Sequence, residues 1–347
     1  MTQQRSEREN RISGLVTRRG LLQGAAAAGA GLFLPRSATG AEPGAALKKT
    51  SLRFNWTAKG EFTPLYVARE LGFFKEQGVE VELLEGKSGT QAVQVVGTGN
   101  DAFGFVPSIQ VIQGINQGIP LRVAGTFGKV TGMCWASWPD VPLDGPKSLE
   151  GRKVSLSSAS TFFQVWPAFV KKFKIDTAKV ETVSADPSAR VGLFLSRRLD
   201  IMADIFVAND FVVLQNKLPD KKLNLLRLSD LGFDPVGYVL VANRSVVESD
   251  PDLVRRVTRA TQKGFQAMID SPKEAAAIMT KLYGERLGAA IIEGQVTRLL
   301  TLVNREPKLG MSNESDWQRS LDLLHEAGVI DKKLPLGSYY TNDFLQA

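Results

Sequence analysis

In this 347-residue chain, the residues able to do chemistry gather behind short apolar runs, where a strand gives way to a helix. Trp56 ends an alternating run at 52–56, and Glu61 and Phe62 follow it and precede Thr63-Pro64, a helix start with proline in its first turn. Ser88 and Gly89 follow a run at 79–83, and Pro107 and Ser108 follow one at 101–106. Ser158, Ser160, Thr161 and Phe162 follow a run at 154–157, and Asp204 stands near the end of another at 200–206. Such turns offer unpaired backbone N–H groups at the positive end of a helix dipole, which suits a ligand rich in acceptors. The serines and Thr161 read equally well as simple helix caps. Trp56, Phe62 and Phe162 supply flat apolar faces for a planar ligand or, in the plainer reading, for the core. Glu61 and Asp204 would accept hydrogen bonds from amino or ring N–H groups and would repel a small anion. Lys59 and Lys87 are the cations in these turns, and Lys87 is the one that would admit an anion.

The inventory excludes much else. One cysteine, Cys134, leaves no intrachain disulfide and no four-thiolate metal site. It falls in an apolar run and reads as a small buried hydrophobe, with a nucleophile as the sharper alternative. One histidine, His325, sits in a helical pattern far along the chain from the turns above. No catalytic residue, cofactor or metal is implied, and the expectation is a binder, not an enzyme. The net charge is +7, but residues 1–41 hold six arginines against two glutamates, so four of the seven charges lie there. The nearly balanced remainder gives no reason to expect nucleic-acid binding.

Those first 41 residues read as a leader. Thr17-Arg18-Arg19-Gly20-Leu21-Leu22 opens a run of Ala, Gly, Leu and Phe reaching Leu34, and Ser37-Ala38-Thr39-Gly40-Ala41 forms a small-residue exit. The paired arginines resemble a twin-arginine export signal, with cleavage expected after Ala41. No cysteine near the exit could carry a lipid. The expected product is a periplasmic protein without a lipid anchor.

Strand and helix signals then alternate, which argues α/β architecture with mostly parallel pairing. Further strands are expected at 121–127 and 237–241, and helix starts at Asp186-Pro187, Asp250-Pro251 and Ser271-Pro272. Pro167 should kink or delay the helix after Thr161. Ser315 and Gln318 have capping-box spacing. Two α/β units are expected, joined near 134–138 and again near 234–237. The first lobe then comprises residues 50–137 and 236–306, the second 138–235, and a helix and tail follow at 307–347.

Several segments carry a resemblance. Phe54-Asn55-Trp56, the run from Phe62-Thr63-Pro64 to Gly72-Phe73-Phe74, and Gly78-Val79-Glu80-Val81 resemble the opening of solute-binding proteins of ABC importers. The family in question serves nitrate, taurine, alkanesulfonates and thiamine-precursor pyrimidines. Leu149-Glu150-Gly151-Arg152-Lys153-Val154, Asp186-Pro187-Ser188-Ala189-Arg190-Val191, Leu195-Ser196-Arg197-Arg198-Leu199-Asp200 and Tyr339-Tyr340-Thr341-Asn342-Asp343-Phe344-Leu345 continue it in order. The resemblance implies a type II periplasmic-binding fold, with two lobes, two hinge strands and a ligand cleft between them. It also implies a monomer that closes on a small molecule and docks on permease and ATPase subunits. With Glu61 and Asp204 in the cleft, a pyrimidine-like or other nitrogenous aromatic ligand ranks first and a sulfonate, taurine or nitrate-type anion second. An enzyme on the same scaffold, desulfinase-like or pyrimidine-synthase-like, ranks last.

Overall fold

Residues Val79–Leu84 bury Val79 and Val81 and leave Glu80 and Glu82 in solvent, the period of a strand with one covered face. That strand, β2, edges a five-stranded sheet in the order β2-β1-β3-β10-β4. Its partners are β1 (Lys48–Phe54), β3 (Phe103–Pro107), β4 (Leu121–Thr126) and β10 (Tyr238–Asn243). β1 runs parallel to β2 and β3, whereas β10 runs antiparallel to β3 and β4. A second sheet repeats the plan as β7-β6-β8-β5-β9. It comprises β5 (Met133–Ser137), β6 (Lys153–Ser155), β7 (Glu181–Val183), β8 (Ile201–Phe206) and β9 (Asn224–Arg227). There β5 is the antiparallel member, against β8 and β9. This computed structural model describes residues 46–345; the expected leader lies outside the described residues.

Helices cover both sheets. Around the first lie α1 (Thr63–Glu70), α2 (Phe73–Glu76), α3 (Gly89–Gly97) and α4 (Ser108–Asn116). The second is flanked by α5 (Thr161–Phe173), α6 (Pro187–Leu195) and α7 (Asp210–Lys217). After β10 come α8 (Arg244–Ser249), α9 (Pro251–Asp270), α10 (Pro272–Leu287), α11 (Ala289–Leu300) and α12 (Glu314–Glu326). The apolar stripe of α5 buries Phe162, Val165 and Phe169, and Pro167 does not interrupt it. The carbonyl that Pro167 leaves without its helical donor is that of Phe163, a residue 40% exposed, so water can serve it. α12 starts two residues earlier than expected: Asn313, not Ser315, caps it by accepting from the Ser315 N–H at 3.0 Å. The tail lies along the β4 edge, where the Val123 N–H donates to the Tyr339 carbonyl at 2.9 Å and so blunts that edge.

The chain passes between the sheets twice, at 127–132 and at 228–237. The first passage lies ahead of the expected 134–138, because Cys134 to Ser137 already belong to β5 and pair with β8 and β9. The two passages bind each other. The Gly128 N–H donates to the Tyr238 carbonyl (2.8 Å), the Gly237 N–H to the Gly128 carbonyl (3.0 Å) and the Thr131 N–H to the Pro235 carbonyl (2.8 Å). Such an approach leaves no room for side chains at its centre. A Cβ on Gly237 would sit 2.5 Å from the Val130 carbonyl oxygen, and one on Gly128 would sit 2.4 Å from the Tyr238 nitrogen.

Two alanine substitutions should therefore move stability in opposite directions. Gly237→Ala forces backbone apart and should cost about 2 kcal/mol or more. Gly192→Ala, in α6 where an added Cβ meets nothing within 4 Å, should gain about 0.5–1 kcal/mol. Denaturant unfolding of the two variants checks this, and a neutral Gly237→Ala would contradict the close pairing.

Candidate functional site

The carboxyl ends of the parallel strands in both sheets face a common cleft, where open α/β sheets place their ligands. From the first sheet it is lined by Asn55, Trp56, Lys59, Glu61, Ser88, Gly89 and Tyr238. From the second come Ala159, Ser160, Thr161, Arg190, Asp204 and Phe206. The space within it open to the centre of a water-sized sphere is about 40 Å³.

The loop after β1 is held rigidly. Gly86 comes so close that a Cβ on it would sit 2.0 Å from the Phe54 carbonyl oxygen, and its N–H donates to the Trp56 carbonyl (3.1 Å). Glu85, paired with Arg286 at 2.6 Å, accepts from the Ala58 N–H (2.8 Å). The Gly60 N–H donates to Gln295 Oε1 (2.7 Å). Trp56, Lys59 and Glu61 thus sit on a pinned turn, the arrangement a binding site needs. Lys59 Nζ lies 5.7 Å from the centroid of the Trp56 ring, a cation–π contact, and forms no salt bridge among the described residues. Asn55 is only 8% exposed, and its Oδ1 has no hydrogen-bond partner among the described residues. Two helix starts enter from opposite sides: Ser88 caps α3 and Ser160 caps α5, each hydroxyl accepting from the N–H three residues on.

Seven of the sequence-predicted residues line the cleft: Trp56, Glu61, Ser88, Gly89, Ser160, Thr161 and Asp204. Five do not. Phe62 stacks on Phe54 in the core, with centroids 4.3 Å apart and planes 12° apart. Phe162 packs edge-on against Trp135 and Phe169. Pro107 ends β3 opposite Tyr238. Ser108 clamps the second passage, donating its hydroxyl to the Val236 carbonyl and its N–H to the Gly237 carbonyl. Ser158 is exposed on the turn before α5. Lys87 is likewise exposed and outside the cleft, so Lys59 is the cation there.

The two carboxylates differ. Asp204 is consumed internally: its oxygens accept from the Ser155 hydroxyl and from the Ser157 N–H at 2.9 Å, and Arg190 lies 3.2 Å away. It supports the floor and is not free to take a ligand amine, contrary to the sequence reading. Arg190 also reaches Asp210 at 2.9 Å. Burial works against the charged form of Asp210, yet Arg190, helped by Lys59, holds its carboxyl below the usual range. Glu61 is different. Burial pushes its pKa up, against the opposing pull of Lys59, and it accepts from the Tyr238 hydroxyl at 3.0 Å. Cys134 is fully buried in β5, away from the cleft lining, and burial pushes its thiol pKa up.

Sequence reasoning missed Asn55, Ala159, Arg190, Phe206 and Tyr238, and noted Lys59 without placing it in the site. A rule of strand carboxyl ends passes over Tyr238, because β10 is antiparallel and brings its amino end to the same edge.

Two α/β halves joined by paired passages, with a cleft lined from both, define the type II periplasmic-binding fold. The chain belongs to the NMT1/THI5-like family, whose profile matches residues 59–275. Among its relatives is the 4-amino-5-hydroxymethyl-2-methylpyrimidine phosphate synthase of Legionella pneumophila, 22% identical over 86% of this chain and 92% of that protein. Another is the formylaminopyrimidine-binding protein of Halalkalibacterium halodurans, 22% identical over 67% of this chain and 70% of that protein. In fold it matches the alkanesulfonate-binding protein SsuA of Xanthomonas axonopodis pv. citri bound to MOPS (TM-score 0.64, 13% identity, 87% of this chain and 99% of that one). It matches the desulfurization enzyme DszB as well (TM-score 0.60, 13% identity, 85% and 97%). The expectation that the chain is not an enzyme is thereby corrected. Synthases stand among its relatives and a desulfurization enzyme among its fold neighbours, since a gripping cleft needs few added groups to become a reacting one.

The raised Glu61 pKa fixes a pH dependence. The native state holds this proton to higher pH than the unfolded chain, so ionising Glu61 costs stability as pH rises from about 4.5 through the folded value. Glu61→Gln keeps an acceptor for Tyr238 and removes that cost. Its melting temperature relative to wild type should rise from pH 4 to pH 8, and a pH-independent difference would contradict the assignment. Arg190→Ala strands two buried carboxylates and should cost about 3–5 kcal/mol by denaturant unfolding.

Proposed function

We propose that this chain is the solute-binding component of an ABC importer, exported across the cytoplasmic membrane. Its lobes would close on a small nitrogenous aromatic of the aminopyrimidine class. The observation that carries the ligand class is the Asn55 Oδ1, buried without a partner among the described residues, in a cleft that Trp56 and Glu61 also line. Two acceptors next to a flat ring suit amino and ring N–H groups, and the N–H groups at the starts of α3 and α5 suit ring nitrogens or an oxygen substituent. Gripping from both halves is what lets a ligand favour closure over opening. Relatives named for a formylaminopyrimidine and for a pyrimidine phosphate support the same class. A second reading, a sulfonate-type anion, is favoured by Lys59, which faces the cleft without an ion pair.

Titration calorimetry of the full chain with 4-aminopyrimidines and alkanesulfonates separates the two. The first reading expects aminopyrimidine binding that weakens roughly tenfold to a hundredfold in Trp56→Ala, the range of stacking and burial terms. Sulfonate binding lost in Lys59→Met, with no aminopyrimidine heat, would replace it by the second. Mass spectrometry of the recovered guest reads turnover in the same samples. An unaltered pyrimidine marks an importer component, and a transformed one marks an enzyme of the kind its relatives are named for.

A further inference from the structure

Glu61, Asp204 and Asp210 meet Lys59 and Arg190 in and beneath the cleft, three carboxyl groups against two cations. Arg190 is committed to Asp204 at 3.2 Å and to Asp210 at 2.9 Å. Lys59, on the other wall, is the remaining cation, with its Nζ 5.7 Å from the centroid of the Trp56 ring. These charges balance when one carboxyl keeps its proton. With all three ionised, the group carries one surplus negative charge. Such a surplus in an enclosed space is costly, because desolvation penalises it and no partner offsets it.

The surroundings select which carboxyl keeps the proton. Asp204 accepts from the Ser155 hydroxyl and the Ser157 N–H and faces Arg190. Asp210 accepts from Arg190 directly. Glu61, 4% exposed, has the least support for a charge. On its own turn stands Lys59, and β10 brings the Tyr238 hydroxyl, which donates to Glu61 Oε1 at 3.0 Å. From the second half the Asn209 amide and the Asp210 carboxylate face it, and Asp210 repels its charge. α11 adds Gln295, a neutral amide already bonded to the Gly60 N–H and to Asn209. Burial, the largest influence, and Asp210 hold the Glu61 pKa up against Lys59, Tyr238 and Asn209.

We propose that Glu61 gives its proton to the guest, so that the cleft holds a nitrogenous base as its cation, with the Glu61 carboxylate as counter-ion. This inference rests on the function proposed above. It narrows the ligand class to bases whose protonated form presents two neighbouring N–H groups, as an amidinium or a 4-aminopyrimidinium does. In the transfer the O–H bond of Glu61 breaks and its electron pair stays on the carboxylate oxygen. An N–H bond forms at the ring nitrogen, and nothing is oxidised or reduced. The carboxylate then accepts from the ring N–H and the amino N–H side by side, a charge-assisted pair, and has lone pairs left for Tyr238. Charge in the cleft is balanced before and after the guest enters. An anionic guest would leave the surplus negative charge in place.

Two probes test this on the full chain. At about pH 8 free 4-aminopyrimidine is neutral, and the bound molecule should show the ultraviolet absorbance of its cation. Benzamidinium arrives already charged and has to expel the proton. Its affinity by calorimetry should rise with pH, by about tenfold per unit below the folded Glu61 value, and level off above it. Heats in buffers of differing ionisation enthalpy should report release of about one proton in the rising range. Glu61→Gln should abolish the rise and the cation spectrum. Bound 4-aminopyrimidine with the spectrum of the neutral base would overturn the proton transfer and leave the aminopyrimidine reading standing. So would benzamidinium that fails to bind, or whose affinity is flat from about pH 4.5, the ordinary glutamate value, to about pH 8. A rise that persists in Glu61→Gln would overturn it too, by assigning the proton elsewhere. Absence of 4-aminopyrimidine binding would overturn the aminopyrimidine reading and this inference together. The wild-type measurements decide the matter even if the variant fails to fold.

Discussion

The mutual pairing of the two passages, 127–132 against 235–238, is the constraint on which the rest depends. Each sheet has its own helices and could be oriented in many ways about a single linker. Two linkers joined by backbone hydrogen bonds leave one soft degree of freedom, a bend about their common line. Gly128 and Gly237 make that pairing close enough to bond. Ser108 and Ser320 fasten it from either side, Ser108 through the Val236 and Gly237 carbonyls and Ser320 by accepting from the Val236 N–H. The cleft lies at the strand carboxyl ends beside this line, so a bend here would open or shut it.

Within the cleft the charges divide into those that build it and those that face a guest. Arg190, Asp204 and Asp210 form a buried ion cluster whose hydrogen bonds offset the desolvation of three charged groups. The cluster orders the turn into α5 through Ser155 and Ser157 and presents its helix start to the cleft. Lys59, Glu61 and Asn55 sit opposite on the pinned loop, with less internal pairing. The second half thus supplies a fixed wall, and the first supplies the groups with binding capacity to spare.

Much of this was legible in the sequence, for reasons that also explain what was not. Strands of five or more residues with alternating or uniformly apolar character, such as those at 79–84, 103–107 and 201–206, announce themselves. β7 and β9, with three and four residues at sheet edges, carry no such pattern. The first passage was placed late because Met133–Ser137 is buried throughout, and an apolar run at a junction reads the same as an apolar strand. Sequence places a residue along a helix start but not around its axis, so Phe62 and Phe162 were assigned outward and in fact pack inward. Nor does it reveal that a carboxylate is already spoken for: Asp204 is engaged by Arg190, fourteen positions earlier, a pairing that no local pattern marks.

The cleft is not the only place where the two halves touch. Gln295 in α11 accepts from Gly60 in the first half and donates to Asn209, at the start of α7, at 3.1 Å. Arg298 donates to Gln215 at 3.0 Å and lies over Phe211. Gly294 lets the two helices meet, for a Cβ there would sit 2.6 Å from a Val212 methyl. This seam of neutral amides and one exposed guanidinium bonds across the halves without burying an unpaired charge. Such bonds are worth about 0.5–1.5 kcal/mol each, enough to lessen the cost of shutting but small beside the contacts a ring makes when enclosed on both faces. In the function proposed above, differential contacts in the cleft would decide between open and shut forms.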